Sequence, residues 1–145
     1  MSKKVRVKRF DKSLPVPEYK TRGAAGFDLS ARETTKIPPR SIGYIPLNVA
    51  VETPKGYMML LAARGSMHKH GLMPAHGIGI GDWDYRGDQD EYKMPAYNFT
   101  GKVVVIEKGT RIAQGIFVKY LKAGLKDVKK LNDKNRGGFG STGHK

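Results

Sequence analysis

A-H-G-I-G-I-G-D-W-D-Y-R-G, residues 75–87, crowds four glycines, two carboxylates and two aromatics into a stretch that leaves no room for a helix. It predicts a tight loop or hairpin, in which Gly77, Gly79, Gly81 and Gly87 allow positive φ or a close approach of backbone to a ligand. If the segment is extended, Asp82 and Asp84 share one face and Trp83 points away. One carboxylate is then free to act as a general base and the other as a hydrogen-bond acceptor. The same composition suits a plain hairpin turn, so this stretch alone leaves both readings open.

Outward from it, the chain reads as short strands separated by Gly and Pro turns. Val5, Val7 and Phe10 alternate with Arg6, Lys8 and Arg9 as an edge strand with its charged side in water. Pro15 and Pro17 force an extended connection. In Gly23 to Ala31, small residues flank one carboxylate, Asp28, which is either a buried group held by backbone amides or a member of a site. Ile42 to Val51 is apolar on both faces and predicts one long strand buried on both sides. Tyr57 to Ala63 is a continuous apolar run that delivers Arg64, Gly65 and Ser66 to its end. Tyr92 to Phe99 predicts a strand that Pro95 confines to an edge or a bulge. Val103 to Ile106 and Ile112 to Tyr120 follow. No window sustains helical periodicity for more than about two turns, so the fold class is all-β, a sandwich or barrel of jelly-roll type.

The 145 residues fit one body with its own core. With no cysteine there is neither a disulfide framework nor a thiol nucleophile. The first residues lack the apolar run of a signal peptide and no segment approaches the ~18 apolar residues of a membrane span, so a soluble, cytoplasmic protein is expected. A net charge of +14, from 27 Lys and Arg against 13 Asp and Glu, attracts polyanions. The basic residues are scattered, which fits a solvated face as well as a nucleic-acid surface. Residues 1–121 carry the strand pattern. Residues 122–145 form a Lys-rich arm ending in R-G-G-F-G-S-T-G, which is either a disordered tail or a flap whose backbone N–H groups and hydroxyls cradle phosphate.

Five stretches, taken together and in order, resemble the motifs of the homotrimeric dUTP pyrophosphatases: A-G-F-D-L-S-A from Ala25, R-G-S-M-H-K-H-G-L from Arg64, G-I-G-D-W-D-Y-R-G from Gly79, K-G-T-R-I-A-Q from Lys108 and R-G-G-F-G-S-T-G from Arg136. The resemblance implies a distorted β jelly roll assembled as a homotrimer, with the C-terminal arm of one subunit closing over the substrate of a neighbour. It implies hydrolysis of a deoxynucleoside triphosphate to the monophosphate and pyrophosphate. Asp82 matches the catalytic carboxylate that aims a water at the α-phosphorus, and Gln114 a polar group near that phosphate and water. Tyr85 matches the ring against the deoxyribose, which leaves no room for a 2′-hydroxyl. Arg64, Gly65 and Ser66 fall on the phosphate side, and His76, Gly79, Ile80 and Gly81 on the walls of the nucleoside pocket. Phe139 would stack on the base while Arg136, Ser141 and Thr142 close on the phosphates. Asp28 and Arg111 match a buried supporting network. Mg2+ is expected to ride on the triphosphate oxygens and water, with no direct protein ligand.

Several positions depart from the family's pattern. Gly65 stands where a Ser hydroxyl usually meets the bridging phosphate oxygen, a loss that could cost ~2–4 kcal/mol in the transition state. His76 replaces an Asn near the base, Gly81 replaces Ile or Val before the aspartate, Met67 replaces a small polar residue, and Trp83 is unusually bulky. Gly81 is expected to enlarge the wall beside sugar and base, and His76 adds a group that titrates near neutrality. These changes raise two alternatives: the same chemistry on another or 5-substituted pyrimidine, or a weakly active nucleotide-responsive binding module.

Overall fold

A computed structural model describes residues 3–143. The chain forms eleven short strands: β1 (Val7–Arg9), β2 (Phe27–Ser30), β3 (Thr35–Ile37), β4 (Ile42–Pro46), β5 (Val49–Val51), β6 (Tyr57–Ala63), β7 (Leu72–Pro74), β8 (Gly79–Gly81), β9 (Lys93–Asn98), β10 (Val104–Ile106) and β11 (Arg111–Lys119). The all-β expectation holds, with one 3-10 turn at Met67–His70 as the sole helical element among the described residues.

The two longest strands, β6 and β11, pair antiparallel along their length, from Ala63 opposite Ala113 to Tyr57 opposite Lys119. They form the middle of a four-stranded sheet in the order β2, β11, β6, β8. A three-stranded sheet, β4, β9, β7, and two pairs, β1 with β5 and β3 with β10, complete the fold. All these pairings are antiparallel, which suits a chain of short strands joined by tight turns. One hydrophobic cluster draws on nearly every strand, including Leu29, Ile37, Ile45, Met59, Leu72, Met94, Ile106 and Ile112. Burying side chains of this size contributes roughly 1.5–3 kcal/mol each.

Three expectations need correction. The long strand from Ile42 to Val51 is two strands, broken at Asn48, whose φ of 70° lies in the left-handed region that Asn tolerates better than most residues. Its side chain closes the break from both directions: Asn48 Nδ2 donates to the Asp11 carbonyl at 3.0 Å, and Asn48 Oδ1 accepts from the Asp11 N–H at 2.6 Å. The apolar residues before the break are not buried on both sides either, since Ile42 is 56% and Tyr44 65% exposed.

Pro95 does not mark an edge. It lies in β9, the middle strand of its sheet, opposite Tyr44 of β4. Its carbonyl accepts the Ala75 N–H at 2.8 Å, one position past the last paired residue of β7, so the missing donor falls where that ladder ends. Nor is residues 79–85 a uniform extended segment. β8 stops at Gly81 and a turn follows, closed by the Tyr85 N–H on the Asp82 carbonyl at 3.1 Å, so Asp82 and Asp84 do not share a strand face.

A half-buried polar network fastens the loop after this turn to the break at Asn48. The Glu91 carboxylate accepts from Arg32 Nε at 2.7 Å and Nη2 at 3.1 Å, and its Oε2 accepts from the Asn48 N–H at 2.9 Å.

Candidate active site

The ends of β6 and β11 bring together residues far apart in the chain. Gln114 on β11 stands opposite Asp28 on one side and Ala62 on the other, and Gln114 Nε2 donates to the Ala63 carbonyl at 3.0 Å. Gly26 makes this possible: a Cβ there would come within 2.6 Å of Gln114 Oε1. Just past β6, Arg64 Nε lies 3.4 Å from one Asp28 oxygen while Arg111 Nη1 donates to the other at 2.9 Å. Arg64 Nη1 also donates to the Arg111 carbonyl at 3.2 Å.

Asp28 is therefore held by two guanidinium groups and not by backbone amides. The expected network is present but only partly buried, because the Asp28 side chain is 14% exposed and Arg111 43%. Gly65 and Ser66 follow at the lip of this cluster, and a Cβ at Gly65 would meet nothing within 4 Å.

Around the corner of the sheet, β8 forms one wall of a cleft of about 380 Å³. His76, Gly79, Ile80, Gly81, Asp82 and Tyr85 line it, together with Leu61, Tyr92 and Lys93. The Asp82 carboxylate is exposed at the end of β8 and, among the described residues, makes no ion pair. The Tyr85 hydroxyl donates to the Glu91 carbonyl at 2.8 Å, and its ring meets Tyr92 edge-on, with centroids 5.2 Å apart and planes at 85°. Burial pushes the Tyr92 phenol up to about 12, and burial followed by the nearby Asp90 and Glu91 charges raises Tyr85. Both rings are neutral walls at physiological pH.

Gly81 does not enlarge this cleft. A Cβ at that position would overlap the Tyr92 hydroxyl and come within 2.8 Å of the Met59 carbonyl oxygen across the sheet. The volume a branched side chain would occupy is filled by Tyr92, which is 5% exposed. Gly81→Ala is accordingly expected to lower stability by roughly 1–3 kcal/mol through overpacking. Thermal melting reads this as a drop of several degrees for a chain of this size. An unchanged melting temperature would mean that Tyr92 moves aside freely.

Tyr92 escapes a reading of the sequence because it follows the acidic run D-Q-D-E, which resembles solvated loop. Gly26 was legible only as one small residue among several.

The single chain does not bring the arm to the cleft. Residues 121–143 contain no strand or helix, and all are exposed. Phe139 is fully exposed, and Arg136, Ser141 and Thr142 are exposed as well. The Gly-rich end is a succession of turns, with the Ser141 N–H on the Gly138 carbonyl at 3.2 Å and the Gly143 N–H on the Gly140 carbonyl at 3.0 Å. Gly137, Gly140 and Gly143 all take positive φ, between 82° and 89°.

The dUTPase family model matches residues 12–143. A deoxyuridine 5'-triphosphate nucleotidohydrolase of Helicobacter pylori (strain P12) is 34% identical over 143 residues, covering 97% of both chains. One from Hydrogenobaculum sp. (strain Y04AAS1) is 37% identical over 146 residues, covering 98% of this chain and 99% of its own. Among solved structures, the Staphylococcus bacteriophage 80alpha dUTPase with dUPNHPP superposes with a TM-score of 0.87 at 25% identity, covering 99% of this chain and all of the other.

Proposed function

The chain belongs to the dUTPase family, and we propose that it hydrolyses dUTP to dUMP and pyrophosphate at the cleft beside β8. The observation that carries this reading is the exposed Asp82 carboxylate, in no ion pair among the described residues and set at the rim of a cleft walled by Tyr85.

Asp82 holds a water and takes its proton as the oxygen attacks the α-phosphorus in line with the bond to the leaving group. A bond forms from water oxygen to α-phosphorus, and the bond from that phosphorus to the bridging α,β oxygen breaks. The electron pair leaves with pyrophosphate. Gln114, Arg64 and Ser66 lie on the phosphate side, with Gly65 giving the backbone room there. Asp28 and Arg111 hold Arg64 in place. Tyr85 covers the deoxyribose and His76, Gly79, Ile80 and Gly81 shape the nucleoside walls. Because positioning and charge neutralisation dominate phosphoryl transfer, a few well-held groups suffice.

Among the described residues no group of three or more His, Asp or Glu is placed to hold a metal ion. Mg2+ would reach the site on the triphosphate, without a dedicated protein ligand, and would supply charge neutralisation there.

The active assembly is a homotrimer in which the arm of residues 122–145 completes a neighbour's site, Phe139 stacking on the base and Arg136, Ser141 and Thr142 closing on the phosphates. Two features support this: the exposure of residues 122–143, and an apolar surface on the three-stranded sheet that includes Ile42, Tyr44 and Met73, each at least 48% exposed. No helix among the described residues is long and apolar enough to cross a membrane.

Pyrophosphate release measured on dUTP, dCTP, dTTP and UTP tests the reading. The expected result is the highest kcat/KM on dUTP, with UTP poor because its 2′-hydroxyl meets the Tyr85 ring. No release from dUTP would overturn the proposed activity. Equal rates on dCTP or dTTP would overturn its base specificity.

A further inference from the structure

We propose that Trp83 is a positioning residue for Asp82, its indole held by Lys55 and Arg86 so that the turn carrying the carboxylate cannot rotate. The inference rests on the reading of Asp82 given above.

Trp83 is the only tryptophan in the chain and directly follows Asp82. The other anchors of its turn, the Tyr85 hydroxyl on the Glu91 carbonyl and Arg86 on the Thr53 carbonyl, lie at the end away from Asp82. β8 is three residues long, Asp82 and Asp84 are both exposed, and the turn is closed by the single bond from the Tyr85 N–H to the Asp82 carbonyl. A turn fastened mainly at its far end would let the carboxylate sample several directions.

The indole supplies the missing restraint. Lys55 Nζ lies 5.5 Å from the Trp83 ring centroid and Arg86 Cζ 5.7 Å, both within the range of a cation–π contact. Arg86 is tethered and Lys55, though exposed, stands on a short connection. Arg86 Nη1 donates to the Thr53 carbonyl at 2.9 Å, and Arg86 Nη2 lies 3.4 Å from Glu52 Oε1. Lys55 sits in the same turn, residues 52–56, and that turn leads directly into β6. β6 is also the strand with which β8 pairs, Met59 opposite Gly81. Both sides of the Asp82 turn are thus referred to one element, β8 through its ladder and Trp83 through the 52–56 turn.

The arrangement also keeps charge where a general base needs it. Two cations are drawn to the neighbouring residue by a ring face and neither forms an ion pair with Asp82 itself. A Lys or Arg that paired with this carboxylate would weaken it as a base. An aromatic restraint holds the backbone without that cost.

The test compares wild type with Trp83→Ala, Trp83→Tyr and Lys55→Met, reading kcat and KM on dUTP, the melting temperature, and hydrogen exchange at the Tyr85 amide. Trp83→Ala is expected to lower kcat about tenfold or more through misplacement of the base, with KM within about twofold and Tm little changed, and to speed exchange at Tyr85. Trp83→Tyr, which keeps a ring for the cations, is expected to restore most of kcat and most of the protection. Lys55→Met is expected to fall between wild type and Trp83→Ala. Wild-type kcat in Trp83→Ala, or unchanged exchange at Tyr85, would overturn the inference. A loss that Trp83→Tyr fails to rescue would do so as well. The amide readout needs no turnover: if wild type released no pyrophosphate from dUTP while Trp83→Ala still freed the Tyr85 amide, the assigned reaction would fall and the restraint would stand.

Discussion

Asp82→Asn is expected to lower kcat on dUTP by about 10²–10⁴-fold, the usual contribution of a positioned general base. KM and melting temperature are expected to stay near wild type. Asparagine has nearly the same shape and still accepts a hydrogen bond from water through its carbonyl, so the cleft keeps its form and the nucleotide still binds. What is lost is the ability to take the water's proton as the new bond to phosphorus develops, an interaction realised only in the transition state. The structure makes a fold-level side effect small. Asp82 is exposed, forms no ion pair among the described residues, and the Tyr85 N–H bonds to its backbone carbonyl, which the substitution leaves intact. Steady-state kinetics with a binding measurement on a non-hydrolysable dUTP analogue separates the outcomes. A variant that kept kcat within a few-fold of wild type would remove Asp82 from the chemistry.

Glu91→Ala should instead act on stability, with a loss of about 3 kcal/mol. The Glu91 side chain is 8% exposed and accepts two hydrogen bonds from Arg32 and one from the Asn48 N–H. Deleting it leaves the Asn48 N–H without its acceptor at the point where the chain turns through a left-handed conformation. It also leaves the Arg32 guanidinium, which the Glu91 carboxylate holds above its ordinary pKa, without its main partner. Arg32 is 31% exposed, so water recovers part of its solvation and keeps the loss at the lower end of the range for buried pairs. A urea titration would show the midpoint shifted with an unchanged m-value. The substitution leaves the Glu91 backbone carbonyl that accepts the Tyr85 hydroxyl in place, so the effect is expected in stability before turnover. An unfolding free energy within about 0.5 kcal/mol of wild type would show that the Arg32 contacts are not retained in solution.

Local chemistry wrote the central sheet plainly into the chain. β6 and β11 are apolar runs bounded by turn residues, and nothing distant is needed to recognise them. The glycines and carboxylates around Asp82 and Tyr85 left a plain turn and a site both open, and only the five motifs taken together pointed to a site. What stayed hidden depended on partners far away in sequence. The break at Asn48 interrupts an apolar pattern that runs straight through it, because its cause is a pair of hydrogen bonds to Asp11. Gly81 reads as a missing wall until Tyr92 is seen folded into its place. Asp28 reads as one carboxylate among small residues, and only the pairing of β2 with β11 brings Arg111 to it, with Arg64 arriving from the end of β6.

The arm proposed to close over a neighbour's nucleotide would act kinetically as well as chemically. A segment without secondary structure between Tyr120 and Phe139 has a root-mean-square span of about 25 Å, and its lysines extend it by mutual repulsion. A tether of that length keeps its Gly-rich tip at millimolar local concentration near any site it can reach. Contacts too weak to capture a free peptide are then enough to cover a bound nucleotide. The same weakness lets product escape, so opening of the arm is a natural candidate for the step that limits throughput.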